Sequence, residues 1–384
     1  MLSNKIGIIL LIVIITVSLL YSISLLKLDN IYANTDSITN TTSENSIPVY
    51  MITTRGNQNY PLAIQEAGYN NNYQFGHINQ LKNDCPNESA IFIHGWGNNH
   101  FKAKERLDRV KLSLEYNNYN IPLIGFSWDS DKKWELAKFI AKENGPKLAN
   151  FIIDYIFGCK NDHNKDVNIR LISHSLGARV ILSALDALHT NTIWNNNNLK
   201  ITSVHLLGAA VDSNEVSKYS FNIDSDYIKD AYGNAIQDEV IRFYNLYNPE
   251  DNFLQIVYPF YDNTALGKDG RQQDIENTEK VTRPPYYDIN VQNEIVAIPN
   301  ADAMDDRHIV FCGTIVCDTT IIEDWDNGLC LPYYYFGILV ENCSIAIGDN
   351  HAGYIGYRSL YNTNILENDG AINVVVNNWR NPIN

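Results

Sequence analysis

Ser175 lies in Leu171-Ile-Ser-His-Ser-Leu-Gly-Ala-Arg-Val180, where an apolar run stops at a Ser-His-Ser-Leu-Gly turn and apolar residues then resume at helical spacing. A serine hydroxyl attacks a carbonyl only when it stands clear of the backbone and within reach of a histidine. It also needs backbone N–H groups converging where negative charge develops. A sharp strand-to-helix turn meets these demands. Small residues two positions either side of the serine let strand and helix pass closely, and the helix N-terminus that follows favours an oxyanion. Ser173 and Gly177 hold those flanking positions. A serine in place of the first glycine is small enough, though it has less backbone freedom. Ser-x-Gly alone arises by chance about once or twice in a chain of this size. The surrounding elements therefore carry the assignment.

Residues 90–94 form a short apolar run ended by Gly95-Trp96-Gly97, and 101–116 then place Leu107, Val110 and Leu114 among charges. That reads as strand, loop and amphipathic helix. Residues 121–126 predict a second strand, ending at Ser127-Trp128-Asp129, and 132–157 a helix kinked at Gly145-Pro146. A third strand is expected over 167–172 and a helix over 176–188. The fourth and fifth strands, 201–207 and 240–246, end at Gly208-Ala-Ala-Val-Asp212 and Tyr247-Asn-Pro-Glu-Asp251. Strands alternating with helices imply a parallel sheet whose ligands gather at the carboxyl ends of the strands. All the loops just named lie on that edge.

The second helix must run back along the sheet, which brings Cys159 to the entry of the first strand and predicts a Cys85–Cys159 disulfide. Cys312, Cys317, Cys330 and Cys343 can pair in three ways. Beyond Asn252 the alternation dissolves. A lid-like insertion is expected over about 252–342, with the closing strand of the sheet near its end; a continuation of the fold with longer loops is the alternative.

Taken together, Ile93-His-Gly-Trp-Gly97, Phe126-Ser-Trp-Asp-Ser130, Ser173-His-Ser-Leu-Gly-Ala-Arg179, a later Asp and a late His resemble the α/β-hydrolase superfamily. The similarity spans residues 88–260 and the segment around His351. The small non-glycine residue and the Ala-Arg tail of the turn resemble poorly characterised hydrolase families, with lipases and esterases as better-known relatives. The resemblance implies an α/β-hydrolase fold, a mostly parallel central sheet flanked by helices, and a Ser, Asp, His order along the chain.

On that pattern Ser175 is the nucleophile and His351, in Gly348-Asp-Asn-His-Ala-Gly-Tyr354, the general base. Asp251 is the acid, since in most relatives it follows the later strand. Asp212 takes the position used by some lipase-like members, and otherwise reads as the N-cap of a helix near Asn214. The backbone N–H groups of Leu176 and Trp96 form the oxyanion hole, the Trp96 side chain lines an acyl pocket or packs in the core, and His94 braces its loop. His308, after Asp305-Asp306-Arg307, competes for the base role but reads better as a solvated loop residue. Strand alternation turns His174 away from Ser175, towards packing or hydrogen bonding.

The expected reaction is hydrolysis of a small-molecule or lipid carboxylic ester through an acyl-enzyme, with amide cleavage as the variant. A non-catalytic, hydrolase-like extracellular binding module is the rival. No cofactor or metal is required. Asp224-Ser-Asp226 and Glu323-Asp-Trp-Asp326 are oxygen-rich but lack EF-hand spacing and read as solvated turns.

A chain of 384 residues, 45% hydrophobic, supports a large core. A net charge of −15 without a basic cluster argues against nucleic acid or an anionic membrane surface as partner. Residues 6–26 are 21 uncharged, mostly aliphatic positions, enough to span a hydrocarbon core of ~30 Å. They make 1–27 a transmembrane anchor or signal peptide, followed by a polar stalk over 28–47 and the hydrolase domain over 48–384. Either way the catalytic domain is expected outside the cytoplasm, tethered to the membrane or secreted. Six cysteines without metal spacing and Asn-x-Ser/Thr triplets at Asn40, Asn87 and Asn342 agree with export. The oligomeric state is left open.

Overall fold

The computed structural model describes residues 46–55, 74–76, 81, 83–218, 231–271, 286–295, 350–358 and 365–383, and the backbone of five short strands between 310 and 346. The apolar segment 6–26, the stalk up to residue 45, His308, both oxygen-rich turns and the side chains of the four later cysteines lie outside the described residues; Ile47, at the end of the span read as stalk, is buried in the core. Among the described residues no helix is long and apolar enough to cross a membrane.

The sheet has eight strands in the order β2-β1-β4-β3-β5-β6-β7-β8. These are β1 (Val49–Thr53), β2 (Gln74–Gly76), β3 (Glu88–Ile93), β4 (Leu123–Ser127), β5 (Asn168–His174), β6 (Ser203–Leu207), β7 (Phe243–Tyr247) and β8 (Tyr286–Asn290). Seven run parallel, and β2 pairs antiparallel at the edge. β3 to β7 are the five strands expected from the apolar runs. A parallel strand covered by helices on both faces has no solvent side, so its sequence is apolar throughout. Successive residues feed opposite cores: Ala90 and Phe92 enter one cluster, Ile91 and Ile93 the other.

Helices α1 (His100–Tyr116) and α8 (Ile372–Arg380) pack on the first of these faces. α2 (Trp134–His163), α3 (Gly177–His189), α4 (Thr192–Asn196) and α5 (Gly233–Glu239) pack on the second. Short helices α6 (Asn252–Ile256) and α7 (Leu266–Asp269) follow β7.

α2 stays one helix across Gly145-Pro146. Proline has no N–H for the carbonyl four residues back, which is that of Lys142. Ser183 Oγ on α3 donates to this carbonyl at 2.7 Å and replaces the missing bond. The helix returns along the sheet as expected, and Cys159 near its end is bonded to Cys85 ahead of β3, with Cα atoms 5.5 Å apart.

One expectation is corrected. The closing strand of the sheet is β8, Tyr286–Asn290, early in the segment read as an insertion; the strand Cys343–Ala346 pairs in a separate small sheet. A strand not read from the sequence, β1, joins the sheet directly after Pro48, where the hydrolase domain was expected to begin.

Candidate active site

Ser175 sits between the last residue of β5 and the first turn of α3, with φ at +54°. That left-handed conformation costs an L-residue about 1–2 kcal/mol, and it persists because both backbone groups are pinned. The Ser175 N–H donates to Leu207 O at 3.0 Å, and its carbonyl accepts from Ala178 N at 3.1 Å and Ala210 N at 3.2 Å. The turn also demands Gly177. A Cβ there would lie 2.5 Å from Ile93 O and 2.7 Å from His94 O, so only a residue without one lets α3 start so close to the end of β3. Leu176 is the N-cap of α3, where N–H groups have no intrahelical acceptor.

The loop after β3 lies against the serine. A Cβ on Gly95 would sit 2.7 Å from Ser175 Cβ and 3.3 Å from its Oγ. The loop after β4 holds this segment in place. Gly97 N donates to Ser130 O at 3.0 Å, Trp128 Nε1 to His94 O at 2.8 Å, and Trp96 Nε1 to Lys132 O at 2.6 Å. Burial, with the Arg55 cation beside it, pushes His94 well below the ordinary imidazole value. The Trp96 ring meets Trp134 edge-on at 5.2 Å and lies 6.2 Å from Phe253.

Asp251 and His351, the residues expected as acid and base, meet across the edge. His351 Nδ1 donates to Asp251 Oδ2 at 2.7 Å, and both residues are buried. The other oxygen, Asp251 Oδ1, caps α6 by accepting Leu254 N–H at 2.9 Å. His351 is seated by three neighbours. His174, adjacent to Ser175, donates through Nε2 to His351 O at 2.8 Å, so it is the hydrogen-bonding residue expected. The Phe253 ring stacks on the imidazole at 4.8 Å. Tyr354 packs into Gly208 and donates to Gly267 O at 3.2 Å. Burial and the Asp251 carboxylate hold the Tyr354 phenol well above its ordinary value, so it stays protonated.

Sequence reasoning missed Asn350. Its Oδ1 accepts Asn252 N–H at 2.9 Å and its Nδ2 donates to Glu250 O. It thus grips the backbone on both sides of Asp251 while its own neighbour is His351. A polar residue beside a candidate base was the one available signal.

Asp212 is placed differently from either expectation. Its Oδ1 accepts from Tyr258 Oη at 3.0 Å and Asn263 N at 3.1 Å, and its Oδ2 from Asn263 Nδ2 at 3.2 Å. Residues 213–216 form a turn, so Asp212 caps no helix. Nearby, Arg179 of the Ala-Arg tail is spent on a buried ion pair with Glu215 at 2.7 Å.

A mostly parallel sheet between helical layers, with a left-handed serine at a strand-to-helix turn, defines an α/β hydrolase. Residues 68–279, more than half of the chain, match the family described as "Alpha/beta hydrolase of unknown function (DUF900)", and the chain belongs to that family. Among solved structures it is similar to phospholipase PlaB from Legionella pneumophila, determined in complex with thio-NAD. The identity is 15% and the TM-score 0.26, over 46% of this chain and 40% of that one. The chain thus spans less than half of that relative's length. No curated protein matches.

Proposed function

We propose that this protein is a serine hydrolase that cleaves carboxylic esters through Ser175, His351 and Asp251. The observation that carries the reading is Ser175, held left-handed at the head of α3 on the same edge as the buried His351–Asp251 pair. Asp251 accepts the Nδ1 proton, which leaves Nε2 as the basic nitrogen. In the proposed cycle Nε2 takes the proton from Ser175 Oγ as Oγ bonds to the ester carbonyl carbon. The resulting oxyanion receives hydrogen bonds from Leu176 N and Trp96 N. His351 then hands its proton to the departing alkoxide, and the C–O bond breaks to leave an acyl-enzyme. Water, deprotonated by the same nitrogen, attacks this ester, and the proton passes on to Ser175 Oγ as its bond to the acyl carbon breaks and the acid is released.

Trp96, Phe253 and Trp134 lie side by side next to His351, which supports an apolar acyl group on the substrate. The Cys85–Cys159 bond supports an oxidising compartment. With the apolar segment 6–26, the reading is therefore of a membrane-tethered or secreted enzyme.

The direct test is labelling by a fluorophosphonate probe, with Ser175→Ala as control. Labelling that disappears in the variant is the expected result. A folded wild-type protein that takes no label would sink the proposal in favour of a binding module.

A further inference from the structure

The peptide that joins Gly95 to Trp96 is held at its carbonyl end by two donors. Gly95 O accepts from His94 Nδ1 at 2.9 Å and from Asn98 Nδ2 at 3.0 Å. The tautomer of His94 follows from its other nitrogen. Nε2 faces two donors, Trp128 N at 3.2 Å and Arg55 Nη2 at 3.3 Å, so it must accept, and the proton belongs on Nδ1. The ring is neutral and both nitrogens are engaged. This histidine has no proton to lend to a reaction.

Its bonds reach the next residue through the peptide plane. In a trans peptide the C=O and N–H vectors point in opposite directions. Fixing Gly95 O on His94 and Asn98 therefore fixes the direction of Trp96 N–H, the group read above as an oxyanion donor. Arg55, just past the end of β1, secures the arrangement from behind. Its Nε donates to Ser127 Oγ at 2.8 Å, its Nη2 to Asn98 O at 2.7 Å, and its Nη1 lies 3.6 Å from Asp129. One guanidinium thus ties together His94, Asn98 and the loop after β4. We propose that His94 and Asn98, backed by Arg55, are positioning residues that preorganise the oxyanion hole by locking the Gly95–Trp96 peptide.

The proposal rests on Ser175 being the nucleophile, and the experiment separates the two. Ester hydrolysis by the full chain is followed with p-nitrophenyl butyrate, alongside inhibition by a trifluoromethyl ketone, whose serine adduct carries an oxyanion. His94→Leu, which keeps the bulk but no ring nitrogen, is expected to lower kcat about 100-fold with KM little changed. The affinity for the ketone should fall by a similar factor. His94→Asn can return an N–H donor near the place of Nδ1 and is expected to recover about tenfold of the loss. Asn98→Ala, which leaves the His94 bond in place, should show a smaller drop of the same kind and serves if His94→Leu does not fold. Loss confined to KM, unaltered ketone affinity, or His94→Asn no better than His94→Leu would overturn the positioning role while the wild type still labels. A wild type that takes no fluorophosphonate label removes the parent reading instead.

Discussion

The two sides of the proposed catalytic edge are built in opposite ways. The side read as the oxyanion hole draws on the loops after the adjacent strands β3 and β4, residues 94–98 and 128–132, cross-linked by backbone groups and buried side chains. The side read as acid and base joins Asp251 to His351 across a sequence separation of 100, with His174, Phe253 and Tyr354 seating the histidine and Asn350 gripping the backbone around Asp251. The first side is held by neighbouring strands of the sheet. The second joins segments far apart in the chain, so its geometry depends on a few side chains whose removal should touch catalysis more than stability.

The sharpest way to break this picture is to exchange the two acids. Asp251→Asn keeps the shape but removes the charge that selects the Nδ1–H tautomer, and kcat is expected to fall on the order of 10⁴-fold. Asp212→Asn should leave kcat close to wild type and lower the denaturation midpoint, since its partners Tyr258 and Asn263 are structural. Steady-state kinetics on both variants decides, and equal losses of kcat would erase the distinction.

A smaller effect tests the docking itself. Asn350→Ala removes both grips around Asp251. Misplacing the base in this way should cost on the order of 10- to 100-fold in kcat, with the thermal midpoint nearly unchanged. A variant that loses stability but keeps kcat would mean that Asn350 holds the fold and not the pair.

The mildest prediction concerns pH and leaves the chemistry aside. His205 on β6 lies in the core on the α8 face, stacked on Tyr244 at 4.5 Å and edge-on to Trp379 at 5.9 Å, and neither ring nitrogen has a hydrogen-bond partner among the described residues. Burial, with Arg170 nearby, pushes it well below the ordinary value of 6.5. The unfolded chain takes up a proton near that value and the folded one does not. The stability contributed by the neutral ring is therefore complete above about pH 7 and declines as pH falls below it, by up to ~1.4 kcal/mol per pH unit for each such group. Urea melts between pH 7.5 and 5.5 should show this slope, and His205→Phe should flatten it. The buried, neutral His94 adds a slope of the same sign that the variant retains. An unchanged slope in the variant would show that His205 is not protonated differently on unfolding.

Much of the architecture was legible because its causes are local. Strands β3 to β7 appear as apolar runs, since burial on both faces leaves no polar alternation. Strand β8, Tyr-Tyr-Asp-Ile-Asn, escaped because it is the edge strand, and only its first two residues are buried. The small-residue turn announced Ser175, and the return of a long helix announced the Cys85–Cys159 bond.

By itself, then, the sequence determined the βα order, the strained serine turn and the edge on which the loops gather, because each follows from burial, residue size and chain direction over short spans. Only the tertiary structure chose between Asp251 and Asp212 as partner of His351. Both are aspartates in loops that follow sheet strands, and their difference is which groups claim their oxygens. It alone also revealed the Asn350 grip and the Arg55–His94–Asn98 clamp. A hydrogen bond's identity depends on distance and direction between residues far apart in the chain, and a residue's type and position in the sequence carry neither.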